Sequence, residues 1–141
     1  MDVEMPENCT CFNLRKAARA VTRAYDEALK PSGLRATQFS LLSVVANRGP
    51  AGMTELAQAL VMERTTLTRN LKPLMEQGFL EVVDGADKRR RPIAVTPRGR
   101  QALDKALPLW RRAQAKFADG LGRSRWQDLL RGLEEAVKQA G

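Results

Sequence analysis

The 141-residue sequence contains no histidine and two cysteines. The first absence removes the commonest zinc-ligand sets and any triad built on a histidine base. The scarcity of cysteine removes a disulfide framework, since two thiols cannot staple a fold at several points. No apolar run approaches the roughly 20 residues that cross a bilayer, so no membrane partner is expected. The segment Met1 to Glu7 is acidic and lacks the basic-then-apolar pattern of a secretory signal, and the expected address is the cytoplasm. A Gly-rich phosphate loop, a metalloprotease motif and a catalytic carboxylate pair are all missing, so neither an enzyme nor a cofactor nor a metal site is expected. The acidic pairs Asp26-Glu27 and Glu134-Glu135 read as solvated helix faces.

What is present is an ordinary globular composition, 43% hydrophobic and 28% charged, long enough for one domain with a real core. The net charge of +8 favours a polyanionic partner. That excess is spread along the chain, with +2 on residues 1–52, +3 on 53–100 and +3 on 101–141. Local clustering therefore has to make any functional case.

Periodicity predicts six helices and a hairpin. Phe12 to Lys30 carries Leu14, Ala18, Val21, Tyr25 and Leu29 on one stripe, and Pro31-Ser32-Gly33 ends it. Thr37 to Asn47 presents Phe39, Leu42 and Val45, and Arg48 to Gly52 breaks the chain. Thr54 is the expected N-cap of a short third helix that buries Leu56, Ala57 and Leu60. A fourth helix, Arg64 to Gln77, turns Leu67, Leu71, Leu74 and Met75 inward before Gly78. Phe79–Val83 and Pro92–Thr96 read as two short strands. Thr96 as N-cap and Pro97 at the first helical position open a fifth helix to about Asp119, broken by Gly120 and Gly122. Its Leu103, Leu107, Trp110, Gln114 and Phe117 form a seam suited to another helix. Ser124 is the expected cap of a sixth, with Trp126, Leu129, Leu130, Leu133 and Val137 apolar. The fold class is thus mainly α with a small β-hairpin wing, and helix–link–helix–hairpin is the winged helix-turn-helix order.

Two stretches carry the DNA-type chemistry. With Leu67 and Leu71 inward, the fourth helix presents Arg64, Thr65, Thr66, Thr68, Arg69, Asn70 and Lys72. Guanidinium, amide, hydroxyl and ammonium groups can contact phosphates and base edges in a major groove. Three threonines are a poor choice for a merely solvated helix face. The loop between the strands holds Asp87, Lys88, Arg89, Arg90 and Arg91. Four consecutive cations at a hairpin tip suit the negative potential of a minor groove.

These residues resemble MarR-type transcriptional regulators over nearly the whole chain. The resemblance runs through Leu56-Ala57-Gln58-Ala59-Leu60, Thr65-Thr66-Leu67-Thr68-Arg69, Leu74, Gly78 and Phe79-Leu80. Its strongest part is Asp87-Lys88-Arg89 followed by Ile93-Ala94-Val95-Thr96-Pro97-Arg98-Gly99. The resemblance implies a homodimer whose first, fifth and sixth helices interdigitate. It also implies binding of a roughly palindromic double-stranded DNA operator, and release by a small-molecule effector, aromatic or phenolic, or by oxidation. The lobe that reads DNA would span 36–98, and 8–35 with 99–141 would form a helical dimerisation region of the single domain 1–141. Ala86 stands where many family wings carry an arginine, and Pro73 should kink the fourth helix beyond Asn70.

Cys9 and Cys11 are expected just before the first helix, where the helix dipole favours the reactive thiolate. Cys11-Phe12 resembles the reactive site of the family's peroxide-sensing branch, and Tyr25 matches the spacing of one of that branch's tyrosines. Ala36 stands near the place of the second. Inert thiols, a redox sensor using Cys11 or Cys9, and a share in a soft-metal site such as one for Cu(I) all remain open. From another class, a winged-helix protein-interaction module without DNA binding is the alternative to a homodimeric transcriptional repressor.

Overall fold

A computed structural model describes residues 3–84 and 91–141. The residues Asp87, Lys88, Arg89 and Arg90 of the expected basic loop lie outside them. Among the described residues the helices are α1 (Thr10–Leu29), α2 (Ala36–Arg48), α3 (Met53–Leu60), α4 (Arg64–Glu76), α5 (Pro97–Leu121) and α6 (Arg123–Ala140). The strands β1 (Leu80–Val82) and β2 (Ile93–Val95) pair antiparallel, with Leu80 opposite Val95 and Val82 opposite Ile93.

The core forms where apolar stripes meet. Leu42 and Val45 of α2, Leu56 of α3, and Leu67 and Leu74 of α4 are fully buried, joined by Leu29 from α1 and Ala106 from α5. Ile93 of β2 closes the cluster from the hairpin side. This core holds α3 and α4 as one body against α2. On α1, by contrast, Leu29 is the buried member of the predicted stripe, and Leu14 and Val21 stay exposed. Helix α6 buries no residue at all.

Several local expectations are corrected. Thr54 does not cap α3; Gly52 does, and Met53 is already helical. The cause is a contact invisible in local sequence. Ala51 exchanges two backbone hydrogen bonds with Ile93, at 3.0 and 2.8 Å, which pins the chain beside β2 and starts the helix early. Cys9 directly precedes α1, as expected, but Cys11 does not. Cys9 is its N-cap, its Sγ accepting from the Phe12 N–H at 3.4 Å, and Cys11 lies in the first turn. Gly120 does not end α5, which runs on to Leu121; Gly122, at φ 91°, makes the break. One helical glycine costs only about 1 kcal/mol, which packing outweighs. Ser124 does not cap α6, because that same turn lets the helix begin at Arg123. Pro73 lies inside α4, which continues through it to Glu76.

The joint between wing and α5 is close-fitted. Thr96 Oγ1 accepts from the Gly99 N–H at 3.0 Å, capping α5, and donates to the Gly78 carbonyl that follows α4. Any Cβ on Gly99 would stand 2.2 Å from the Phe79 carbonyl oxygen, so glycine is required by close approach. One residue thus ties the ends of α4 and α5 together.

Candidate nucleic-acid interface

Leu67, Leu71 and Leu74 anchor α4 in the core, so helical geometry turns the opposite face outward. Arg64, Thr65, Thr68, Arg69, Asn70 and Lys72 are all exposed there, and Thr66 is half-buried. The exposed face is therefore a row of donors on a rigid support. Lys72 lies 4.0 Å from Glu76 in a solvent-exposed pair, a contact of little strength that leaves its ammonium available. Asn70 Nδ2 reaches the thioether of Met62 at 3.6 Å, which orients its amide from the turn before α4.

The face has two flanks. Arg64, Thr68 and Lys72 follow one another at four-residue steps and share a groove of about 470 Å³ with Arg91 and Val82 of the hairpin. Arg91 is the member of the expected wing set that is described; it is exposed, with φ 40°. On the other flank, Arg69 and Asn70 line a groove of about 370 Å³ with Arg35, Thr37 and Gln38 at the start of α2. Sequence reasoning passed over those three residues. The available signal was an arginine where a helix cap should stand.

Elsewhere in the chain, α1 packs against α5. The Tyr25 hydroxyl donates to Gln114 Oε1, and its ring stacks on Phe117 with centroids 5.5 Å apart. Phe39 of α2 stacks on Trp110 of α5 at 5.8 Å. Burial pushes the Tyr25 phenol above its usual 10.0, because the charged phenolate is disfavoured there. Tyr25, Phe39 and Trp110, with Val21, Thr22 and Ser40, line an open cavity of about 240 Å³. Tyr25 and Cys11 lie 14 residues apart on α1, about 21 Å along its axis, so one chain does not bring them together. Both cysteines are free and exposed. Asp26 is more than a solvated side chain: its Oδ1 accepts from the Ala36 N–H at 2.7 Å and so secures the start of α2.

A helix pair anchored in the core, an exposed donor-bearing face on its second helix and a paired hairpin define a winged helix-turn-helix protein. The MarR family model matches residues 32–91. A DNA complex of the transcriptional regulator MosR from M. tuberculosis superposes with a TM-score of 0.80 at 44% identity, covering 94% of this chain and 98% of that one. The transcriptional repressor CouR, bound to p-coumaroyl-CoA, shares the fold at a TM-score of 0.84 and 22% identity, with 97% of each chain covered. An HTH-type regulator of Bacillus subtilis, YwoH, is 32% identical over 83 residues. That match spans 59% of this chain and 61% of YwoH. The chain belongs to the MarR family of winged-helix transcriptional regulators.

No helix among the described residues is long and apolar enough to cross a membrane.

Proposed function

We propose that the protein is a homodimeric DNA-binding repressor that reads a palindromic operator with α4. The observation that carries this reading is the exposed row Arg64, Thr65, Thr68, Arg69, Asn70 and Lys72 on a helix whose other face is fully buried. Thr66 contributes less, being half-buried. The wing residues Asp87, Lys88, Arg89, Arg90 and Arg91 are assigned to the flanking minor groove, with the lobe at 36–98 and the dimerisation region at 8–35 and 99–141. Thr54, exposed in the first turn of α3, is assigned to support of the reading helix. MosR bound to DNA, at 44% identity over nearly the full length, supports the assignment. The test is an electrophoretic shift at rising salt. Phosphate contacts release counterions, so affinity must fall steeply. A protein-interaction module without DNA binding would show no such shift.

The apolar surface supports pairing with a second copy. Leu129, Leu130, Leu133 and Val137 of α6 are exposed in one chain, as are Phe12, Leu14 and Val21 of α1. An amphipathic helix with its apolar side in water needs a partner. Pairing through α1, α5 and α6 would set two α4 helices about one turn of DNA apart. The cavity beside Tyr25 would take the effector, a small aromatic or phenolic compound, and its filling would alter how α1 and α5 meet. A protein in the cytoplasm, free of metal and cofactor, suffices for this cycle.

Exposed thiols at the start of α1 favour one alternative trigger. Oxidation of Cys11, or of Cys9, would disturb the first turn and the dimer frame around it. Tyr25 would take part only across the dimer, given its distance from Cys11 within one chain. Peroxide-induced release from DNA that survives in the Cys9→Ser, Cys11→Ser double variant would dispose of that trigger.

A further inference from the structure

We propose that Arg35 is a DNA-phosphate contact, extending the interface from α4 to the start of α2; the proposal rests on the DNA-binding reading above. Arg35 is the N-cap of α2, with φ −85° and ψ 159°. Chemically it is the wrong residue for that place. An N-cap side chain should accept a backbone N–H, and a guanidinium has no acceptor. A cation there also opposes the positive end of the helix dipole. The fold works around it: Asp26 takes the Ala36 N–H at 2.7 Å, and Gln38 Oε1 takes the N–H of Arg35 itself at 3.0 Å. The guanidinium is left exposed and makes no ion pair among the described residues.

A position that breaks a local rule without structural return is a functional candidate. What surrounds Arg35 says what it serves. It shares a groove of about 370 Å³ with Arg69 and Asn70, on the flank of α4 away from the hairpin. Thr37 adds an exposed hydroxyl beside it. A phosphate on the α2 wall of this groove meets the Arg35 guanidinium and the Thr37 hydroxyl, while Arg69 and Asn70 face it from the reading helix, which is the arrangement of a DNA backbone beside a read groove. Arg91 and Lys72 occupy the opposite flank of the same helix. Cations on both sides of α4 fit the two backbone walls of a major groove.

The experiment measures binding to a mixed-sequence DNA duplex by anisotropy over a range of salt, beside thermal melts, for the wild type, Arg35→Ser and Arg35→Lys. Arg35→Ser supplies a proper cap and should melt about 2 °C or more higher. It should also make the log–log salt slope shallower by about 0.9 per bound chain, equally on any sequence. Arg35→Lys keeps the charge and should keep the slope. An unchanged slope in Arg35→Ser beside a steep wild type overturns this proposal alone. So does a loss confined to one sequence, a loss shared by Arg35→Lys, or an Arg35→Ser that melts below the wild type. A wild type without salt-dependent binding overturns the DNA-binding reading and this proposal together.

Discussion

The Tyr25 hydroxyl donates a hydrogen bond to Oε1 of Gln114, joining α1 to α5 across 89 positions of sequence. Stacking of the same ring on Phe117 makes this a two-point attachment. Tyr25→Phe keeps the stack and loses the bond, at a cost of about 1 kcal/mol, or about 3 °C in the melting midpoint. Differential scanning calorimetry of the two proteins checks it.

Tyr25 is the one tyrosine in the sequence, so its titration can be followed by phenolate absorbance without interference. Burial raises its folded-state value above the 10.0 of an unfolded chain. Between those two values the unfolded chain has lost the proton and the folded one retains it, so stability falls as pH rises. The contribution is complete below about pH 10 and is lost as pH climbs through the folded value. Wild type and Tyr25→Phe should converge in stability over that alkaline window, and parallel curves would contradict the assignment.

Gly99→Ala would place a methyl 2.2 Å from the Phe79 carbonyl and 2.9 Å from Val95 Cγ1. Neither neighbour can move without disturbing the hairpin, so a loss of about 3 kcal/mol is expected. Urea unfolding should show a lower midpoint. Thr96→Ala, which removes the α5 cap and the bond to Gly78, should cost about 1–2 kcal/mol by the same assay.

Val61, between α3 and α4, holds φ 52° and is 73% exposed. A β-branched residue in the left-handed region is strained by about 1–2 kcal/mol. Glycine relieves that strain and returns part of the gain through the unfolded state. Val61→Gly should therefore melt slightly above the wild type, whereas Val61→Ile should not.

On α4, Arg69→Ala should cost about 1–3 kcal/mol of operator binding and relax preference at particular base pairs. Lys72→Ala should weaken all sequences alike. Competition with single-base variants of the bound site separates the two outcomes.

Long periodic stripes were readable because burial of Leu42, Leu56, Leu67 and Leu74 obeys helical spacing. Thr96-Pro97 was readable because cap chemistry there is local, and the Gly99 N–H meets Thr96 Oγ1 as that chemistry requires. Non-local contacts were not. Nothing near Thr54 reveals that Ala51 pairs with Ile93 and shifts the start of α3. Nothing near Ala36 reveals that Asp26, ten residues earlier, caps α2. The donor face of α4 was legible from three threonines and two arginines between leucines. Its flank at Arg35 was not, because a groove between separate helices has no sequence spacing of its own.

The central claim is that two copies present α4 together to a symmetric DNA site. Selection of bound duplexes from a random-sequence pool by the purified protein tests it most directly. The account predicts enrichment of an inverted repeat with half-site centres about one helical turn, roughly 10 base pairs, apart, and no enrichment by the Arg64→Ala, Arg69→Ala double variant. Enrichment of a single unrepeated site, the same repeat selected by the double variant, or no enrichment by the wild type would contradict it.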